Sequence, residues 1–199
     1  MSDNVVICGF ARSPFTPAHK GGLSKIRPDD LAAQVVKGLI EKTGIKKEDV
    51  EDLILGCAFP EGEQGMNLAR NVVFLSGLPN SVGGVTVNRF CASSMQAIHQ
   101  AAGSIISASV YVFIAAGVES MSRVSMGGFN PMMNPSLVDL DAYIGMGHTA
   151  ENLAKKYSIP RKRQEEMALS SHQKAAEVIS NNSFDQEIVS IVDVSQDGC

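Results

Sequence analysis

The longest uninterrupted pattern in the chain runs from Gly84 to Val118, with no Asp, Glu, Lys or Arg between Phe90 and Val118. A membrane span would need one continuous apolar helix of about 20 residues. Here the period changes instead. Met95, Ile98, Ala102, Ile105 and Ile106 recur at helical spacing and form one apolar stripe. After Ser107 and Ser109, the β-branched and aromatic run Val110, Tyr111, Val112, Phe113, Ile114 predicts a strand closed by Gly117. Val85, Thr86 and Val87 predict another short strand upstream. The unit reads as strand, turn, helix, strand, buried throughout, with Cys91 at the turn where strand meets helix.

The same patterning extends to the rest of the chain. Val5–Phe10 predicts a first buried strand with Cys8 inside it, and 11–26 an aperiodic loop. A helix is expected from Asp29 to Thr43, capped by Asp29 or Asp30, with Leu31, Val35, Leu39 and Ile40 as its apolar face and Gly44 as its left-handed stop. Val50–Ala58 predicts a second strand containing Cys57, and Asn67–Ser76 a helix ended by Gly77 and Pro79. Alternation of strand and helix predicts an α/β fold, a mostly parallel sheet with helices on its faces. Past Glu119 the period is lost. The segment 121–143 holds four methionines, two glycines and two prolines, as a long functional loop or a linker would. Pro160–Ile179 then predicts an amphipathic helix with Met167, Ala168, Ala175 and Val178 inward, and Ile188–Val194 a strand.

Composition narrows the function classes. Of 199 residues, 44% are hydrophobic and 19% charged, which suits a chain with a substantial core, and a net charge of −4 does not suggest a nucleic-acid partner. Cys8, Cys57, Cys91 and Cys199 lie far apart without a C-x-x-C, unlike a disulfide framework or a zinc site and consistent with a reducing compartment. Neither a secretory signal nor an Arg-rich leader is visible at MSDN, so a cytoplasmic location is the expectation. The four histidines, His19, His99, His148 and His172, form no metal-ligand pair. Gly145–Ala150 matches G-x-G-x-x-A, but Asp139 and Asp141 precede it where a buried strand would be required, so no nicotinamide cofactor is expected. Arg161-Lys162-Arg163, with Lys155 and Lys156 nearby, reads as a solvated helix face before it reads as a phosphate clamp.

Cys91 carries the candidate chemistry. A helix start presents unpaired N–H groups and roughly half a positive charge, which stabilises a thiolate and so makes a nucleophile. The competing reading is a small core residue, since free cysteine is among the most buried types.

The wording of the stretch adds to this. VNRFCASSMQA resembles the nucleophile segment of the thiolase family, specifically the degradative 3-ketoacyl-CoA thiolases. Arg12-Ser13-Pro14-Phe15 is similar to the family's opening, AAGVESMSR at 115–123 to its exit from the fourth strand, and MGHTAENLAKKY at 146–157 to a segment of its substrate-covering loop domain. The resemblance implies a layered thiolase-like α/β fold. Residues 1–118 would be the N-terminal core domain and 119–199 the first part of the loop domain, with the C-terminal domain absent.

It further implies an acyltransferase that cleaves 3-ketoacyl-CoA with CoA, as in fatty-acid β-oxidation. Cys91 would be the catalytic nucleophile and Met146 a substrate-binding wall of the acyl pocket. CoA thioesters would be substrates, with no cofactor and no metal, and the assembly a homodimer or tetramer. The family's Gly-His-Pro, Asn-Glu-Ala-Phe and Cys-x-Gly segments do not occur in these 199 residues. The chain is therefore expected to be a truncated or split piece, inactive alone. Two alternatives remain. A decarboxylating ketoacyl synthase shares the fold and the cysteine but usually carries Ala or Thr before it, where Phe90 stands here. A catalytically silent thiolase-like binding subunit is the other.

Overall fold

The structure, a computed structural model, describes residues 5–193. The chain forms two compact units, the described residues up to Asn130 together with those from Glu187 onward, and Pro131–Gln186.

The first unit is built on three parallel strands, β1 (Asp52–Gly56), β2 (Gly83–Val87) and β3 (Phe113–Gly117), in the order β2-β1-β3. Leu53 of the central strand pairs with Gly84 on one side and Ile114 on the other. Helices α1 (Pro28–Thr43), α2 (Leu68–Ser76) and α3 (Ser93–Ile106) connect and cover them. Connection direction reverses after β2. With crossovers of one hand, that reversal puts α2 and α3 on opposite faces. The alternation of β1 agrees: Leu53, Leu55 and the following Cys57 share a core with α1 and α2, whereas Ile54 packs with Ala97 and Ala101 of α3. The described residues contain no helix long and apolar enough to cross a membrane.

Gly44 closes α1 in the left-handed conformation, as expected, and Gly77, expected to end α2, does so in the same conformation. Other expectations need correction. Arg27, not an aspartate, is the N-cap of α1, with Pro28 in its first turn. Asp29 instead takes a two-pronged contact from the Arg27 guanidinium at 3.1 and 2.8 Å, and this bond is the first cause of Arg27's raised pKa. Of the expected face Leu31, Val35, Leu39 and Ile40, only Ile40 is buried and Leu39 packs partly against the core, while Ala32, Ala33 and Val36 complete the buried face. Alanines on that face let α1 pack closely on α2.

Val5–Phe10 forms no strand, and Cys8 within it is exposed. A strand needs a partner ladder, and here the pairing is one bridge between Arg12 and Ile188. It is closed by Arg12 N–H donating to the Glu187 carbonyl and Val189 N–H donating to that of Arg12, both at 2.8 Å. Ile188 therefore makes a bridge and not the expected strand, and Val194 lies outside the described residues, as does Cys199.

The strand expected at Val110–Ile114 begins three residues later and lies at an edge of the sheet, not its centre. Its register is set by Ile114, buried opposite Leu53. Helix α3 is not covered on all sides either. Ser93, Ala97 and Ala101 are buried, whereas Met95, Ile98 and Ile106 are exposed.

The second unit holds α4 (Pro135–Val138), α5 (Met146–Lys156) and α6 (Arg161–Ser180). The inward face expected for α6 is not buried. Met167 is exposed, and none of the helix's residues is fully enclosed. Arg161–Glu165 at 2.8 Å and Lys162–Glu166 at 3.9 Å pair along the helix at i, i+4, as on a solvated face.

Candidate active site

β2 ends at Val87 and α3 begins at Ser93, so five residues make the turn that carries Cys91. Local hydrogen bonds shape it. Asn88 Oδ1 accepts from Phe90 N–H at 2.8 Å, an Asx-type turn. Ser93 Oγ accepts from Arg89 N–H at 2.8 Å and donates to the Phe90 carbonyl at 2.6 Å. Ala92 N–H donates to the Arg89 carbonyl, and Ser93 N–H to that of Phe90. Phe90 is held left-handed at φ 46°, a conformation that costs a side-chain-bearing residue about 1–2 kcal/mol. This sharp turn lifts Cys91 onto the surface, and its thiol is free and exposed. Cys91 therefore sits one residue before the N-cap of α3, Ala92, and is no core residue.

The first turn of α3 rests directly on the ends of two strands. A Cβ on Gly56 would lie 2.5 Å from the Ser93 carbonyl carbon and the Ser94 nitrogen, and one on Gly117 would overlap the Ser94 hydroxyl. Only glycine permits so close an approach. The ends of β1 and β3 thereby set where α3 begins, and with it where the thiol stands.

Cys57 makes an instructive contrast. It is buried, and its Sγ lies 3.8 Å from Glu119 Oε2. Burial first, and then the carboxylate charge, push its thiol up to about 12, so it stays protonated and unreactive at neutral pH. Glu119 also accepts from Ala58 N–H and from Gln64 Nε2, both at 2.7 Å. The fully buried Gln64 amide donates to the Phe59 carbonyl at 2.8 Å and accepts from Ser120 N–H at 2.6 Å. The loops after β1 and β3 are thus tied together beside the Cys91 turn. Asn88, Ser93, Gln64 and Glu119 were not singled out as site residues from the sequence. Asn88 and Ser93 had a local signal, because their bonds to Phe90 and Arg89 span two to four residues, whereas Gln64 and Glu119 act across more than 50.

Met146 is exposed in the first turn of α5, in the second unit. Gly145 caps that helix and follows turns after α4, not a strand. His19 lies in a turn, His99 on α3, His148 on α5 and His172 on α6. Among the described residues no group of three or more His, Cys, Asp or Glu is placed to hold a metal.

A family model described as "Thiolase, N-terminal domain" matches residues 5–198. The chain belongs to the thiolase family. It is 44% identical over 193 residues to the 3-ketoacyl-CoA thiolase of Bacillus subtilis (strain 168), covering 96% of this chain and 49% of that protein. The 3-ketoacyl-CoA thiolase of Idiomarina loihiensis is 39% identical over 199 residues, covering 98% and 51% respectively. That of Colwellia psychrerythraea is 41% identical over 191 residues, covering 94% and 49%. The chain spans about half the length of the curated relatives it matches. As a member of this family it has a thiolase-type α/β fold, with a parallel sheet flanked by helices.

Proposed function

We propose that this chain supplies the nucleophilic half of an acyltransferase of the 3-ketoacyl-CoA thiolase type. The carrying observation is Cys91: an exposed thiol, raised on a sharp turn at the mouth of α3, within the segment that resembles the family's nucleophile. In the proposed reaction Cys91 Sγ attacks the C3 carbonyl of a 3-ketoacyl-CoA. The C2–C3 bond breaks, C2 leaves as the carbanion of acetyl-CoA and is protonated, and the shortened acyl group remains on sulfur as a thioester. A second CoA thiol then attacks that thioester, and Cys91 is released. Dividing the reaction through a covalent intermediate replaces one difficult step with two easier ones. The backbone N–H of Cys91 itself, just before α3, is the donor suited to the oxyanion that forms at each attack.

In this reading Met146 forms part of the acyl pocket wall, for which a flexible, polarizable side chain is fitting. The context is fatty-acid β-oxidation in the cytoplasm, in a homodimer or tetramer. The groups that activate the thiol and move the C2 proton belong to family segments that do not occur in these 199 residues, so the chain alone exchanges an acyl group with CoA only slowly and does not turn over 3-ketoacyl-CoA. Intact-mass measurement after incubation with acetyl-CoA tests this. One added acetyl group on the parent, absent in Cys91→Ala, is expected. Equal acetylation of both would overturn the assignment.

A further inference from the structure

We propose that Asn88 is a positioning residue for Cys91, holding the turn that carries the thiol by clamping it to the Ala58 peptide. The inference rests on the reading of Cys91 as acyl acceptor and names what sets its position. Both ends of the Asn88 amide are engaged. Oδ1 accepts from Phe90 N–H at 2.8 Å, and Nδ2 donates to the Ala58 carbonyl at 2.9 Å, across 30 residues of sequence. Ala58 is gripped a second time through its own N–H, in the preceding peptide group, which donates to Glu119 Oε2 at 2.7 Å. A continuous relay therefore runs from the loop after β3, through the loop after β1, to the backbone of the residue preceding Cys91. The Phe59 and Phe90 rings, 5.9 Å apart, tie the loop after β1 to the Cys91 turn a second time.

Phe90 explains why the relay matters. Its left-handed conformation is unfavourable for a residue with a Cβ, and such conformations persist only where the surroundings over-determine them. Asn88 and Ser93 provide that determination from the two sides of Phe90, one at its N–H and the other at its carbonyl. Asn88 itself is exposed, so its two bonds add little to global stability. Their effect is directional. They keep Cys91 over the first turn of α3 and prevent the turn from relaxing to ordinary φ values. Loss of Asn88 should then appear in the chemistry of Cys91 far more than in unfolding.

The test compares the full chain with Asn88→Ala and Asn88→Ser, following iodoacetamide alkylation by peptide-resolved mass spectrometry at fixed pH. Cys8, exposed in the N-terminal segment, is the internal reference. We expect Asn88→Ala to lower the Cys91-to-Cys8 rate ratio about tenfold while the urea midpoint stays near the parent's. Serine keeps an acceptor for Phe90 N–H but does not reach the Ala58 carbonyl, so Asn88→Ser should recover part of the ratio. An unchanged ratio in a folded Asn88→Ala overturns the clamp. If that variant does not fold, a parent-like ratio in Asn88→Ser does so instead. Treating the same samples with acetyl-CoA separates the two ideas. A parent that takes no acetyl group on Cys91 yet shows the Asn88-dependent ratio loses the acyltransfer reading and keeps the clamp.

Discussion

Gly56, the last residue of β1, lies directly beneath Ser93, the first residue of α3, so closely that a Cβ would stand 2.5 Å from the Ser93 carbonyl carbon. The neighbour is backbone and has no rotamer to yield. Gly56→Ala must therefore move α3 or the strand end, and overpacking of this kind costs about 1–3 kcal/mol. At Gly117 the obstructing atom is the Ser94 hydroxyl, which can rotate away. Urea unfolding of the two alanine variants should rank Gly56→Ala as clearly the more damaging. Equal losses would mean that α3 is not seated as described.

Neighbouring positions on α3 should respond in opposite ways to the same substitution. Ala97 is 0% exposed against the sheet, while Ile98 is 44% exposed. Ala97→Asp buries an unpaired carboxylate and should cost several kcal/mol. Ile98→Asp, despite its place in the apolar stripe, should change stability of this chain by less than about 1 kcal/mol. Thermal unfolding of both variants decides. A collapse of Ile98→Asp alongside Ala97→Asp would show that the stripe is covered in solution.

The Cys57 thiol, pushed up to about 12, makes stability depend on pH. Its unfolded value is about 8.5. Above that pH the unfolded chain loses the proton while the folded chain keeps it, so the native state binds more protons and stability falls as pH rises from about 8.5 toward 12. The contribution is fully present below the unfolded value. In urea titrations between pH 8.5 and 10.5, the parent should lose stability more steeply than Cys57→Ala, by up to about 1.4 kcal/mol per pH unit. Parallel slopes would contradict the buried, carboxylate-facing thiol.

Local signals in the sequence were sufficient wherever structure is decided locally. The glycine stops after α1 and α2, and the strand-turn-helix junction at Cys91, all depend on neighbours within a few residues. Choices made by tertiary packing were not legible. Whether Leu31 or Ala32 faces inward on α1 depends on how closely α2 approaches, and the start of β3 depends on the burial of Ile114 opposite Leu53. Val5–Phe10 has strand composition, but composition cannot supply the ladder partner a strand requires. The polar ties of the candidate site were hidden for the same reason. Asn88 meets Ala58 across 30 residues and Glu119 meets Ala58 across 61, so no spacing along the chain announces them.

The central claim is that Cys91, among the thiols of this chain, accepts and returns an acyl group. A pulse of acetyl-CoA followed by a chase with free CoA, read by peptide-resolved mass spectrometry, tests it most directly. The account predicts acetyl on the Cys91 peptide during the pulse and its loss in the chase. Cys57, buried with its thiol held protonated, and Cys8, whose neighbours Gly9 and Phe10 lie against Thr43 and Lys42 at the C-terminal end of α1, should stay unmodified. A folded chain that acetylates Cys8 as readily as Cys91, or leaves Cys91 bare, would contradict the account.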